Sequence, residues 1–236
     1  MRIAVSGCAA SGKTTTIQHF LQKWSNYSSI NSDYRKLIKD KRHSKNTTAK
    51  LQGEILNILC SECEPYTPSQ NVIFDRCPLD NLVYSMWCYA NNVKGFTDKF
   101  IEQSILKVKK SMQNLDVIFI CTRDLMPPIE DNGIREIDPK YVEETDNIFK
   151  AILAKYKKGA ETLPFMEKDN SPAIIDIYGQ PHERIAQIAL YVTEDGGMYG
   201  DEHSLLDLDK IAEMEKLIRD QKEALQQEKM PIFGSK

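Results

Sequence analysis

The sequence predicts an α/β protein: a mostly parallel sheet with helices on both faces, plus a C-terminal helical extension. Three observations carry that prediction. Short apolar runs rich in β-branched residues alternate with segments of helical apolar spacing from residue 2 to 192. A glycine-bearing turn, GCAASGKT from Gly7 to Thr14, joins the first such run to the first helical segment. Each strand candidate is followed by a helix candidate, and that alternation makes parallel pairing with crossover helices the natural topology.

The elements follow in order. RIAVS at 2–6 reads as the first strand, and KTTTIQHFLQKW follows with Ile17, Phe20, Leu21 and Trp24 at helical spacing. SSINSDYRKL reads as a short second strand ending near Asp33. TTAKLQGEILNILCSEC (47–63) is helical, with Leu51, Ile55, Leu56, Ile58 and Leu59 on its apolar face. After the loop EPYTPSQ, NVIF (71–74) is a strand. PLDNLVYSMWCYANN is a helix with Pro78 in its first turn, and 98–113 is another amphipathic helix. LDVIFICT (115–122) is a strand, and the polar, proline-broken stretch from 123 to 138 reads as a flap carrying Arg123 and Arg135. YVEETDNIFKAILAKY is helical, PAIIDIYG (172–179) a strand and PHERIAQIALYV the helix after it.

Composition shifts at TEDGGMYGDEHS, so 1–192 is expected to be one domain and 193–203 a linker. The segment 204–236 is strongly helix-forming. Leu208, Ile211, Met214, Ile218 and Leu225 form its stripe, and Ser204 and Asp207 can cap it. That helix either packs on its own domain or serves, through 204–229, as a homodimer or partner contact.

At 236 residues and 27.0 kDa, the chain is long enough for a sizeable core. The net charge of −3 and pI of about 5.9 offer no broad positive field, so nucleic acid is not the favoured partner. No signal peptide or membrane span is expected, and the protein is placed in the cytoplasm. Six cysteines without a secretory context read as reduced packing thiols; Cys60 and Cys63 form a lone CxxC without a second ligand pair. The four histidines show no ligand-like spacing.

The Gly7–Thr14 turn matches G-x-x-x-x-G-K-[ST] at every fixed position, between strand and helix as that motif requires. The sheet is therefore expected to be of P-loop NTPase type. Gly7 and Gly12 permit tight turning and close backbone approach to phosphate, and the helix N-terminus adds partial positive charge. Gly7, Ala10, Ser11, Gly12, Lys13, Thr14 and Thr15 are expected to bind the phosphates of ATP. Lys13 reaches the β- and γ-phosphates, and Thr14 ligates Mg²⁺. Asn-Lys-x-Asp, a guanine-reading signature, is absent, and the small chain favours a small-molecule kinase.

VIFDRCPLDN supplies the second half of the expected site. An apolar strand ending in Asp75 suits a carboxylate on the metal side, and Arg76 would face the acceptor with a bidentate fork. A solvated ion pair closing the strand is the plain alternative. FDRCPLDNLVY resembles the Asp-Arg motif of the thymidylate kinase and deoxynucleoside kinase group. The wider pattern also resembles the nicotinamide riboside kinase domain of a bifunctional bacterial NAD-biosynthesis regulator. SDYRKLI, LDVIFICTRD, PPIEDNGIRE and HERIAQIALYV match that family in order, over about 1–192. Similar chains occur among phage-encoded nucleotide kinases, in which case the compartment would be the host cytoplasm.

The resemblance implies that Lys13 and Thr14 serve ATP and Mg²⁺, Asp75 the metal, Arg76 the acceptor and Arg135 the transition-state charge, with Arg123 at the flap's base. Asp33 is a candidate base for a sugar hydroxyl, with Asp80 as its rival. Arg35 lies beside Asp33 at the expected end of strand two. Tyr34, Tyr84, Trp87 and Phe96 can stack on a base or simply pack. The implied reaction is phosphoryl transfer from ATP to a small-molecule nucleotide or nucleoside, foremost a deoxynucleoside monophosphate. Nicotinamide riboside and a hydroxymethylated base in DNA are alternative acceptors. A nucleotide-binding regulator acting through the tail helix is the non-enzyme alternative.

Overall fold

The computed structural model describes residues 1–30, 32, 47–124, 138–167, 170–199 and 219. Its elements, in chain order, are β1 (Arg2–Ser6), α1 (Lys13–Lys23), β2 (Ser28–Ile30), α2 (Ala49–Cys63), β3 (Val72–Asp75), α3 (Pro78–Ala90), α4 (Asp98–Met112), β4 (Val117–Cys121), α5 (Pro139–Tyr156), β5 (Ala173–Ile177) and α6 (Pro181–Ile188). The strands form one five-stranded, wholly parallel sheet in the order β2-β3-β1-β4-β5.

Side chains alternate across each strand and so feed two cores. Ala4, Val72, Phe74, Ile118 and Ile120 face a cluster completed by α3, α4 and α5. Ile3, Val5, Ile73, Val117 and Phe119 face the other, against Ile17, Phe20 and Trp24 of α1 and Ile188 of α6. Near-continuous apolar runs such as VIFIC are what a strand buried on both faces requires.

Helix starts follow local chemistry. Thr48 accepts from the Leu51 amide, Thr97 from the Phe100 amide, and Asp138 from those of Lys140 and Tyr141. Proline opens α3, α5 and α6, where its missing N–H costs nothing. The helix expected to run to residue 192 stops at Ile188, and Val192 then bridges antiparallel to Met198. Thr193–Gly196 folds back on the end of α1. Trp24 Nε1 donates to Thr193 O (2.7 Å), Asn26 Nδ2 to Asp195 O (2.6 Å) and Tyr27 Oη to Gly196 O (2.5 Å).

All six cysteines are free, and five are buried. Burial pushes the Cys8, Cys63 and Cys88 thiols up to about 12, so they are protonated packing groups, not thiolates. Among the described residues no helix is long and apolar enough to cross a membrane. The second strand ends at Ile30; Asp33, Tyr34, Arg35, Arg135, most of the expected flap and the C-terminal helix but for Arg219 lie outside the described residues.

Candidate active site at the carboxyl edge of the sheet

Parallel strands bring their carboxyl ends to one edge, and β1 lies between β3 and β4 there. In register, Val5 stands opposite Asp75, so the end of β3 arrives beside the turn that starts at Gly7. That turn depends on backbone freedom. Gly7 (φ 139°) and Gly12 (φ 80°) lie in the left-handed region, and a Cβ on Gly7 would meet Cys121 O at 2.5 Å. Gly7→Ala is expected to lower stability by roughly 1–3 kcal/mol, read by chemical denaturation. A loss below about 0.5 kcal/mol would show that the turn tolerates a side chain.

Lys13, the first residue of α1, folds back into the turn. Its Nζ donates to Gly7 O (2.9 Å), Cys8 O (2.5 Å) and Ser11 Oγ (3.2 Å). Burial and then the nearby Arg76 charge lower its pKa to about 8. The folded state binds this proton less tightly than the unfolded chain, whose lysine titrates near 10.5. The penalty of burying the ammonium is complete below pH 8, and stability rises as pH climbs from about 8 to 10.5. A bound polyphosphate would restore the higher pKa. Binding of a polyphosphate near pH 8.5 is therefore expected to take up part of a proton, detectable with ATP as the probe by calorimetry in buffers of different ionisation enthalpy. Equal heats in all buffers would refute that coupling.

Thr14 Oγ1 donates to Asp75 Oδ2 at 3.0 Å, joining the start of α1 to the end of β3. Both side chains offer hard oxygen donors. A magnesium ion at a phosphate loop takes only one or two protein oxygens and completes its shell from phosphate and water. The pair fits such an ion, although no group of three or more histidine, cysteine or acidic side chains that could hold a metal ion exists among the described residues.

Arg76 adopts φ 84°, a conformation rare for a side chain of this size, with its amide donating to Val5 O (3.0 Å). Backbone strain of this kind marks functional positions more often than ordinary loops. Its Nη1 donates to Asp80 Oδ1 and to Tyr84 Oη, each at 3.2 Å, and the guanidinium sits 5.5 Å from the Tyr84 ring centroid. Tyr84 stacks on Tyr141 of α5, and Trp87 meets the same ring edge-on at 4.6 Å. Tyr84 and Trp87 thus lie together near Arg76. Phe96 does not: it is core, packed on Phe100 at 5.2 Å.

Asp80 is 1% exposed and wholly engaged. Oδ2 accepts from Ser6 Oγ (2.6 Å) and Cys77 N (3.0 Å), and Oδ1 from Gly7 N (3.3 Å) and Arg76 Nη1 (3.2 Å). It closes the α3 capping box and ties β1, the phosphate loop and Arg76 together. Such a carboxylate is a scaffold, with no lone pair left for a substrate hydroxyl. Arg123 holds the loop from the other side. Its Nη1 donates to Ala10 O, and its amide donates to Asp146 Oδ1 (3.1 Å).

Sequence reasoning missed two members of this setting. Asp146 is buried on α5, pairing with Lys150 at 2.9 Å. Arg184 is buried on α6, its Nη1 donating to Ser11 O. Both carried a signal: a charged residue in phase with the buried stripe of its helix, Asp146 with Val142 and Phe149, Arg184 with Ile188.

Residues 2–164 match the family model of the AAA domain. Solved structures with a similar fold include NadR protein in complex with NR, at TM-score 0.53 and 14% identity over 79% of this chain. The chain spans 49% of that protein, about half its length. Deoxyadenosine kinase from M. mycoides, with dCMP and dCDP bound, matches at TM-score 0.52 and 16% identity, over 80% of this chain and 96% of that one. Thymidylate kinase from Candida albicans matches at TM-score 0.50 and 17% identity, over 79% and 88%. No curated protein matches the sequence.

Proposed function

The chain belongs to the AAA domain family, and from that premise we propose that it is an ATP-dependent phosphotransferase acting on a nucleotide or nucleoside. The observation that carries the reading is the joining of two motifs at one sheet edge. Lys13 and Thr14 of the phosphate loop meet the Asp75-Arg76 strand end, with Thr14 Oγ1 3.0 Å from Asp75 Oδ2. The likeness in fold to a deoxyadenosine kinase, a thymidylate kinase and NadR supports it.

In this reading the loop N–H groups and Lys13 bind and orient the β- and γ-phosphates. Thr14 and Asp75 hold Mg²⁺, which supplies charge neutralisation at the phosphate oxygens when bound. Arg76, poised against Asp80 and Tyr84, positions the acceptor with a fixed cationic fork. Arg123 and Arg135 neutralise developing charge, Arg123 from a position already against the loop. Phosphoryl transfer runs mainly on positioning and charge, and the residues gathered here suit that division of labour.

The acceptor is assigned as a deoxynucleoside monophosphate. Two points support an anionic acceptor over a hydroxyl. Asp80, one of the two candidate bases, has all its acceptor capacity taken within the protein. The acceptor-side group at the end of β3 is a cation. If a base is used, Asp33 fills that role.

The test is an acceptor screen with ATP and Mg²⁺, covering deoxynucleoside monophosphates, nucleosides, nicotinamide riboside and oligonucleotides bearing hydroxymethylated pyrimidines. A deoxynucleoside diphosphate product is expected. Exclusive phosphorylation of a nucleoside or nicotinamide riboside would move the assignment to a hydroxyl acceptor and to Asp33. Turnover of none of them would favour a nucleotide-binding regulator acting through the tail helix.

A further inference from the structure

Arg184 is 1% exposed, yet among the described residues its guanidinium meets only neutral oxygens. Nη1 donates to Ser11 O and to Thr16 Oγ1 (3.4 Å), and Nη2 donates to Thr122 O (3.1 Å). Nε is buried without an acceptor, and none of these bonds reaches a carboxylate. An arginine stays charged at any accessible pH, and a buried charge without a counter-ion is costly. A neutral donor of similar size could serve the same carbonyls without the cost of burying a charge. The charge therefore calls for another reason.

The bonded carbonyls indicate one. Ser11 lies within the phosphate loop, and Thr122 directly follows the neighbouring strand β4. In a trans peptide the C=O and the following N–H point in opposite directions. Holding Ser11 O toward the core turns the Gly12 N–H the other way. Arg123 at Ala10 O does the same for the Ser11 N–H, and Lys13 at Gly7 O and Cys8 O for those of Cys8 and Ala9. Cations grip the carbonyl side of the loop, peptide by peptide.

We propose that Arg184 is a positioning residue for the phosphate loop: it fixes the Ser11–Gly12 peptide with its N–H directed outward, and it supplies a buried positive charge whose counter-charge arrives with the polyphosphate. This rests on the nucleotide-binding reading above. Its effect should scale with the ligand's negative charge, unlike that of a purely structural residue.

The experiment measures affinities for ATP, ADP and AMP by titration calorimetry, and ligand-free melting, for the wild type, Arg184→Met, Arg184→Gln and Arg184→Lys. Arg184→Met, which leaves the Ser11 and Thr122 carbonyls without this donor, is expected to fold but to melt somewhat below the wild type without ligand. It should bind ATP roughly tenfold to 100-fold more weakly, with smaller losses for ADP and the smallest for AMP. Arg184→Lys, which keeps the charge, should recover most of the ATP affinity that Arg184→Gln loses. Equal losses for all three nucleotides, or equal losses in the Lys and Gln variants, would overturn the assignment. If Arg184→Met fails to fold, the Lys–Gln comparison decides alone. A wild type that binds ATP while Arg184→Met and Arg184→Gln bind it equally well sinks only the role of Arg184. A wild type that binds none of the three sinks the nucleotide reading and the role of Arg184 with it.

Discussion

Replacing Lys13 with alanine is expected to leave a folded protein that transfers phosphate roughly 10²–10³-fold more slowly, or more. The asymmetry follows from where the ammonium sits. In the ligand-free protein Lys13 is buried, held by two carbonyls and a hydroxyl, and its pKa is drawn down to about 8 chiefly by burial. Its removal takes away a charge that burial penalises, so the fold loses little and the stability rise between pH 8 and 10.5 vanishes. The reaction loses a cation placed where phosphate charge gathers, and nothing else on α1 can replace it. The measurement is ATP-dependent turnover on the acceptor found by the screen, with a denaturation curve alongside. Undiminished turnover in Lys13→Ala would sink the proposed mechanism. Collapse of the fold would mean that the lysine holds the loop together instead of serving the ligand.

The opposite pattern is expected at Asp80. Asp80→Ala should cost roughly 3–5 kcal/mol of stability, because it leaves the buried Ser6 hydroxyl and the Gly7 and Cys77 amides without their acceptor and takes a counter-charge from Arg76. Ser6 Oγ and the amides of Gly7 and Cys77 lose this acceptor together, while Arg76 Nη1 keeps its bond to Tyr84 Oη. Arg76 is only half-buried and can turn toward water, which places the loss toward the lower end of that range. Asp80→Asn keeps the shape but turns one acceptor into a donor, and should cost about 1–3 kcal/mol. Activity should fall in both variants even where they stay folded, since Asp80 fixes both Gly7 and the Arg76 fork. Urea denaturation at temperatures where both variants are folded, with turnover in parallel, provides the check. A loss under about 1 kcal/mol in Asp80→Ala would mean that waters take over the four bonds.

The same carboxylate shows where sequence reading stops. From the chain alone Asp80 was an acidic residue near an arginine motif, as reasonable a base as Asp33. Cys77-Pro78-Leu79-Asp80 does carry the spacing of a capping box, with proline at the first helical position. That spacing accounts for the bond to Cys77 N. It cannot announce the bonds to Ser6 and Gly7, more than 70 residues away in sequence. Arg184 and Asp146 were hidden for a related reason. A charged residue in phase with an apolar stripe is visible, but its partner is a backbone carbonyl or amide, which every residue has and no sequence pattern marks.

What the sequence determined by itself is local. The glycines of Gly7–Thr14 are needed where φ is positive, the apolar runs are strands because both of their faces are buried, and the threonines, aspartate and prolines that open α2 to α6 act within a few residues of themselves. These signals placed the parallel sheet, its helices and the phosphate loop. Only the tertiary structure decided that β3 lies beside β1, so that Asp75 meets Thr14, and that Lys13, Arg123 and Arg184 converge from three parts of the chain on one loop. The physical reason is that strand order and buried polar pairing are settled by which surfaces exclude water together, a property of the packed whole that no single segment carries.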